Sequence, residues 1–439
     1  MKFTDINAAL NWMNQESNPI QREGIEKIYY AMNYLGNPQK GLKVIQVTGT
    51  NGKGSTTAFL KNLFAGAGLK VGTFTSPHIE KFNERISYAG HDISDADLLR
   101  LMPLIYDLNE HMAQTKYGRL VFFEIYTCLL FLYFHEKQPD VCLIEVGIGG
   151  LNDCTNVVDA QYAVITTVAL DHVDKLGDTV EAVAYQKAGI IKRGAQVFIG
   201  QLPASSVAVV EAKVEEEGAK LYQYGHEFGA LPMTLSLENG SKFTYWNDLG
   251  MEKEEFRLSM LGQHQMHNAA IALMVFQHWM YDQGIELHKE KMAQDLLTTH
   301  WQGRMEKISD HPLIFIDGAH NEAGLEALKQ VVETYLIDRQ VTILFAGLNR
   351  KNQSAHLQIL DLFPASQIYI APFDHHESYS QAEWQNLVNE DPNPNLHVIG
   401  DWAEFIDQFE GENNQVLLVT GSLYFISQVR QYILHGLRN

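Results

Sequence analysis

Apolar positions along the chain fall into runs whose period changes from segment to segment. Val44, Ile45 and Val47 form a β-branched run that enters a loop with three glycines, Gly49, Gly52 and Gly54. Ala58, Phe59, Leu60, Leu63 and Phe64 then recur at helical spacing. The pattern predicts strand, glycine loop and helix in succession. Upstream, Leu10, Trp12, Met13 and then Ile25, Ile28 and Tyr29 predict a helical layer over residues 1–40, closed by the turn signal Gly36-Asn37-Pro38-Gln39. Downstream, 70–75 reads as a short strand, a helix starts at Asp95, and 120–134 reads as a buried helix. The continuous apolar run 141–146 is of the kind buried in a parallel sheet. A strand at 162–168, a helix from near Asp178 that carries Lys187, and a strand at 196–200 follow.

From residue 218 to 261 the pattern alternates (233–237, 243–246, 255–260) around turn pairs such as Asn239-Gly240, which predicts a small antiparallel β-element. Residues 267–280 return to helical spacing. Past a boundary near 300–303, four strand-like runs alternate with helices: 313–316, 341–346, 367–370 and 416–420. The predicted class is α/β. A first domain over residues 1–298 has a mostly parallel sheet and the small β-element, and a smaller Rossmann-like domain covers 299–439.

Composition narrows the function. Hydrophobic residues make up 46% of the 439 and charged ones 20%, ordinary for a soluble enzyme. The formal net charge of −20 argues against nucleic acid or an anionic membrane as a general partner. Cys128, Cys142 and Cys154 form no CxxC pattern and lie in or beside apolar runs, as buried thiols in a reducing compartment do. No secretory signal is visible at the start of the chain, and the apolar stretch 120–134 is interrupted by Glu124 and too short for a bilayer. A cytoplasmic, monomeric protein with small-molecule partners is expected.

The candidate chemistry starts at the glycine loop. Glycines let backbone N–H groups converge on phosphate oxygens, the helix N-terminus adds its positive end, and Lys53 adds a full charge. The usual form places four residues between the first glycine and the Gly-Lys pair, with Ser or Thr next. Here only Thr50 and Asn51 intervene, and Gly54 separates Lys53 from Ser55. Glu145 and Asp171-His172 close two following strands, at the sheet edge where ligands of open α/β sheets bind. Glu145 suits Mg²⁺ beside a nucleotide, or is a carboxylate that reaches solvent. Taken alone, His172 reads as structural, Ser76-Pro77-His78 as a turn, and Lys187 as a solvated helical charge. Asp317-Gly318-Ala319-His320-Asn321 packs three polar side chains where an apolar strand stops. It is a site or a helix N-cap by Asp317 or Asn321. Gly421-Ser422 repeats that geometry.

These motifs, in this order, resemble the folylpolyglutamate synthase and dihydrofolate synthase family of the Mur ligase superfamily. The resemblance runs almost end to end. It rests on Leu35-Gly36-Asn37-Pro38-Gln39, Gly49-Thr50-Asn51-Gly52-Lys53-Gly54-Ser55, Thr75-Ser76-Pro77-His78, Asn83-Glu84-Arg85-Ile86 and Phe122-Phe123-Glu124. It continues through Glu145-Val146-Gly147-Ile148-Gly149-Gly150, Asp153 with Thr155-Asn156, Asp171-His172 and Lys187-Ala188-Gly189-Ile190-Ile191. His264-Gln265, Asn268-Ala269, Gly303-Arg304, Asp317 to Asn321 and Gly421-Ser422-Leu423-Tyr424 complete it.

The resemblance implies a Mur-ligase-type fold and an ATP-dependent amide ligase. ATP would phosphorylate a folate carboxylate, and the amine of L-glutamate would attack the acyl phosphate. It implies that Thr50, Asn51, Gly52, Lys53, Gly54, Ser55, Asn268, Arg304 and Asp317 bind ATP. Ser76, Glu145, His172 and a carbamylated Lys187 would hold Mg²⁺, two ions per site. Phe122, Phe123, Glu124 and Asp153 would line the pterin site. The catalytic set would be Lys53, Lys187, His320 and Asp317, with His320 near the γ-phosphate and glutamate. The chain departs from the family pattern at Leu151-Asn152, at Gln186 before Lys187, and at Arg350-Lys351-Asn352. The reading is a folylpolyglutamate synthase. The alternatives are a bifunctional enzyme that also accepts dihydropteroate, a cell-wall Mur ligase, for which residues 1–40 lack a nucleotide-sugar domain, and a non-catalytic nucleotide switch.

Overall fold

The apolar run that precedes the glycine loop forms β1 (Val44–Thr48), buried at every position. The computed structural model describes residues 3, 5–15, 25–248, 253–349, 353–391, 393–412 and 414–436. The expected helical layer is present as helices Ile6–Gln15 and Glu26–Tyr34; its part at 16–24 lies outside the described residues. With β2 (Val71–Phe74), β3 (Ile86–Tyr88), β4 (His91–Asp92), β5 (Val141–Glu145), β6 (Tyr162–Ile165), β7 (Gln196–Ile199) and β8 (Lys220–Gln223), β1 builds one sheet in the order β4-β3-β2-β5-β1-β6-β7-β8.

β1 runs parallel between β5 and β6, with Val47 opposite Glu145 and Thr48 opposite Ile165. Both faces are covered, which is why the central strands are mostly apolar. One face packs on Ile125, Tyr126, Leu129 and Phe131 of helix Phe122–Lys137 and on Leu101 and Ile105 of helix Asp95–Ala113. Val183, Ala184 and Ala188 of helix Val180–Ala188 cover the other. Cys128 and Cys142 are buried, and Cys154 is half-buried. β3 extends the edge antiparallel to β2 and β4 antiparallel to β3, which the sequence reading did not anticipate. They are only three and two residues long, too short to show a period.

Helix ends follow capping chemistry. Ser94 Oγ accepts the Asp97 N–H at 3.0 Å, with Asp95 and Asp97 in the first turn where the helix end is positive. Glu124, unexpected inside an apolar run, sits in the first turn of helix Phe122–Lys137. It accepts the Val121 N–H at 2.9 Å and pairs with Lys27 Nζ at 2.6 Å.

The chain folds as two compact units. Met1–Gly229, Asn247–Met251 and Asn268–Asp295 form the first; Ala230–Trp246, Glu252–His267 and Leu296–Asn439 form the second. These units interleave, unlike a single cut after residue 298. The physical reason is the antiparallel sheet β9 (Phe228–Ser236), β10 (Gly240–Asn247) and β11 (Glu254–Leu258). Its Leu235, with Leu237 and Leu261, packs on the Leu328 and Val331 core of the second unit, and Ser241 Oγ hydrogen-bonds Tyr335 Oη at 2.6 Å.

The second unit's main sheet has six strands: β12 (Glu306–Asp310), β13 (Leu313–Asp317), β14 (Gln340–Ala346), β15 (Ala365–Ile370), β16 (Leu396–Val398) and β17 (Gln415–Gly421). Their order is β12-β13-β17-β14-β15-β16, with β12 antiparallel to β13 and the rest parallel. The four expected runs are β13, β14, β15 and β17. The other two escaped the pattern because β12 buries only Ile308 and β16 has three residues.

Candidate active site

Four adjacent parallel strands, β2, β5, β1 and β6, end at one edge of the first sheet. β1 ends in the phosphate loop, β2 leads to Ser76, β5 ends at Glu145 and β6 runs on to His172. The sheet order therefore gathers residues that are far apart in sequence. The Ser76 N–H lies 3.4 Å from Glu145 Oε2, which joins two of the metal candidates directly. Glu145 is buried, 4% exposed, although it is a carboxylate.

The loop closes on helix Lys53–Gly66 through Gly52, whose φ of +86° is left-handed. A side chain there would also bring its Cβ within 2.5 Å of Asn268 Oδ1, so only glycine fits between loop and amide. The same contact sets Asn268 against the loop. Lys53 Nζ donates to the Gly49 carbonyl at 2.8 Å and the Thr50 carbonyl at 3.3 Å. Ser55, Thr56 and Thr57 are buried in the first helical turns.

Lys187 is 3% exposed on helix Val180–Ala188. Burial, and next the charge of Lys53, pull its ammonium down to about 7, while Asp171 pulls it up. Its neighbours on the chain meet the turn after β5. Leu151 N–H donates to the Gln186 carbonyl at 2.7 Å, and a Cβ on Gly150 would fall 3.0 Å from the Lys187 carbonyl. Two departures from the family pattern, Leu151 and Gln186, thus meet through backbone atoms in this bond. His172 has left-handed backbone, φ 49°, and its N–H is held by Asp171 Oδ1 at 2.8 Å.

Phe122 and Phe123 belong to an aromatic group with Phe74, Phe82 and Tyr126, with ring centroids 4.8–6.4 Å apart. Phe123 lies against Gly147, where a Cβ would come within 2.7 Å of its Cζ. Arg85, which sequence reasoning carried only as part of a motif, stacks over Phe122 and Tyr126 at 5.7 and 5.4 Å. Its Nε–H donates to His78 Nδ1 at 2.7 Å. Burial and the Arg85 charge push His78 down to about 4.

The two acidic pterin candidates already have protein partners. Glu124 holds its helix end and Lys27. Asp153 is buried; its Oδ2 accepts the Gly147 and Ile148 N–H groups at 3.1 Å, and Oδ1 accepts the Thr155 N–H at 2.9 Å and its hydroxyl at 2.5 Å. Burial still raises its carboxyl above the ordinary value.

In the second unit, Asp317 ends β13. It accepts the Met305 and Ala319 N–H groups, each at 2.9 Å, and so fixes the turn that carries Arg304. Burial raises Asp317 against the lowering charge of Arg304. His320 Nδ1–H donates to the Gly318 carbonyl at 2.8 Å. Of the two N-cap candidates, Asn321 caps helix Glu322–Tyr335, through the Gly324 N–H at 2.8 Å. Gly421, with φ 117°, and Ser422, which caps helix Leu423–His435, stand beside this turn in the sheet. Arg350-Lys351-Asn352 lies outside the described residues.

Among the described residues no three His, Cys, Asp or Glu side chains converge as a ready-made metal cage. Glu145, a buried carboxylate beside the Ser76 N–H, is of the kind that suits a Mg²⁺ taking most of its oxygens from phosphate and water, and His172 follows β6 at the same sheet edge. The hydrogen bonds between Asn51 and the Thr166 and Thr167 side chains were missed, because they join residues more than a hundred positions apart.

The family model for the Mur ligase middle domain matches residues 47–276, and that for the Mur ligase glutamate ligase domain matches 303–423. The dihydrofolate synthase/folylpolyglutamate synthase of Bacillus subtilis is 34% identical over 440 residues, 98% of this chain and 99% of its own. The folylpolyglutamate synthase of Lacticaseibacillus casei is 35% identical over 424 residues, 93% of this chain and 94% of its own. The solved FPGS–AMPPCP–folate complex is 32% identical with a TM-score of 0.82, covering 98% of this chain and all of that one.

Proposed function

The chain belongs to the folylpolyglutamate synthase and dihydrofolate synthase family of the Mur ligase superfamily, and we propose that it extends reduced folates at the γ-carboxyl with L-glutamate through an acyl phosphate. It is an ATP-dependent amide-forming ligase that joins glutamate to folate. The observation that carries the reading is the gathering of the phosphate loop, Ser76, Glu145 and Lys187 around one sheet edge.

In this reading the N–H groups of Gly52–Ser55 and the Lys53 ammonium hold the phosphates, and Asn268 flanks them. Ser76, Glu145 and His172 would hold Mg²⁺, which would neutralise phosphate charge during transfer. The Lys187 amine, drawn down to about 7, is available in neutral form at physiological pH. With carbon dioxide it would form an N–C bond and release one proton, and the carbamate would supply an anionic oxygen to a second Mg²⁺. Phe122 and Phe123 offer the pterin a ring-stacking wall. Asp153 and Glu124 act on that wall by fixing its backbone. The family resemblance assigns Arg304 and Asp317 to ATP and His320 to the γ-phosphate and glutamate, and Asp317 holds the turn that carries Arg304.

Dihydropteroate is the alternative acceptor, since the Bacillus subtilis relative carries both activities in its name. We assign the enzyme to the cytoplasm as a monomer. No helix among its described residues is long and apolar enough to cross a membrane. The test is phosphate release with ATP, Mg²⁺ and L-glutamate, comparing tetrahydrofolate with dihydropteroate. Turnover with tetrahydrofolate, abolished in Lys53→Ala, is expected. Turnover with both acceptors makes the enzyme bifunctional, and turnover with neither overturns the reading.

A further inference from the structure

We propose that Thr167, assisted by Thr166, is a positioning residue that locks the first half of the phosphate loop, leaving only its second half to bind phosphate. The proposal rests on the ATP-binding reading of that loop.

The β1–β6 pairing continues past the ends of both strands. The Thr166 N–H donates to the Thr48 carbonyl and the Thr50 N–H to the Thr167 carbonyl, each at 2.9 Å. Side chains then take over. The Asn51 N–H donates to Thr167 Oγ1 at 2.9 Å, and the Thr167 hydroxyl returns a bond to the Asn51 carbonyl at 3.0 Å. The Thr166 hydroxyl donates to the same carbonyl at 2.5 Å. Thr50 makes a second reciprocal clip: its hydroxyl donates to the Ala169 carbonyl and accepts the Ala169 N–H, both at 3.0 Å. Gly49 must lack a side chain, because a Cβ there would overlap Thr166 Oγ1.

Two consequences follow. The N–H groups of Thr50 and Asn51 are engaged by the strap, so the amides left to meet phosphate begin at Gly52. Thr50 and Asn51 thereby move from ligand contacts to scaffold. The strapped segment also runs within two residues of Asp171-His172, and Asp171 is close enough to Lys187 to raise its affinity for a proton. The strap therefore ties the phosphate loop to the metal side of the site. A glycine-rich loop left unstrapped would lose conformational entropy on each binding event.

Thr167→Val keeps the shape and removes both side-chain bonds to Asn51; Thr167→Ser keeps the hydroxyl. Binding of a non-hydrolysable ATP analogue is measured by calorimetry, with a parallel Mg²⁺ titration of the nucleotide complex. Thr167→Val is expected to weaken the analogue about tenfold or more and to raise the Mg²⁺ needed for half-saturation. KM for glutamate should stay unchanged, and Thr167→Ser should restore both affinities. A folded Thr167→Val that binds analogue and Mg²⁺ as the parent does overturns the proposal. So does an equal loss in Thr167→Ser. If Thr167→Val does not fold, Thr50→Val decides by the same measurements, since it breaks the other clip. Failure of the parent to ligate folate would count against the functional reading, while direct nucleotide binding still tests the strap.

Discussion

Asp153 separates two accounts of the folate side of the site. If its carboxylate is chiefly a scaffold, removing it destabilises the unliganded protein; if it is chiefly a pterin contact, removal changes only substrate affinity. The structure gives it four donors on two oxygens, at 2.5–3.1 Å. Asp153→Asn keeps volume and shape, so no cavity forms. Its amide must turn NH2 toward either the Thr155 pair or the Gly147–Ile148 pair. Thr155 is fully buried, whereas Gly147 and Ile148 are half-buried and can draw on water. The cheaper orientation therefore keeps oxygen on Thr155 and sets NH2 against the two loop amides. Losing two charge-assisted bonds, partly offset by water, costs about 2–3 kcal/mol. Asp153→Ala strands the buried Thr155 groups as well and should cost about 3–5 kcal/mol. Urea denaturation without ligands reads both, and steady-state assays of each variant add KM for folate and ATP. The loop after β5 follows Glu145, so Asp153→Asn should also lower kcat. A variant whose stability lies within about 0.5 kcal/mol of the parent, with only KM for folate raised, would refute the scaffold account.

Three further outcomes are expected. Carbamate formation on Lys187 needs its neutral amine, so a ¹³C NMR signal from labelled bicarbonate should grow as pH rises through about 7 and be absent in Lys187→Arg, with activity lost in that variant. Gly52→Ala forces a side chain into left-handed backbone against Asn268 and should weaken nucleotide binding at least about tenfold, read by calorimetry; unchanged affinity would refute the packing argument. His78 and His264 are both pushed down to about 4, first by burial and then by Arg85 and Arg304. Their unfolded forms titrate near 6.5, so the unfolded chain binds more protons between these values and stability falls as pH drops through that window. Each should cost about 2 kcal/mol by about pH 5, and a His78→Gln, His264→Gln double variant should lose less on acidification.

What the sequence disclosed was mostly local. β1, β5, β13, β14 and β17 are rich in apolar residues, and their identity follows from burial on both faces. The glycine loop was readable because its chemistry lies within a few consecutive residues. What stayed hidden was relational. The ion pair of Glu124 with Lys27, about a hundred residues earlier, could not be read from either neighbourhood. Asp153 looked like a recognition group because nothing in its neighbours signals four donors. Thr166 and Thr167 carry no motif and matter only because β6 pairs with β1. β3, β4, β12 and β16 are edge or near-edge strands, too short or too polar for period-2 patterning to emerge.

The three thiols have an experimental use that follows from where they lie. Cys128, Cys142 and Cys154 are the chain's full complement, and all belong to the first unit, none to the second. Burial pushes each thiol up, Cys142 to about 12. Only a thiolate attacks alkylating reagents quickly, so labelling must wait for the surrounding structure to open. Mass-spectrometric labelling rates thus form a clock that times the opening of one half of the molecule and is blind to the other. Its three hands sit in different elements: Cys154 beside the Asp153 turn, Cys142 in the strand next to β1, and Cys128 in the helix that packs on that sheet. The order in which they strike records which layer of the nucleotide-binding half lets go first.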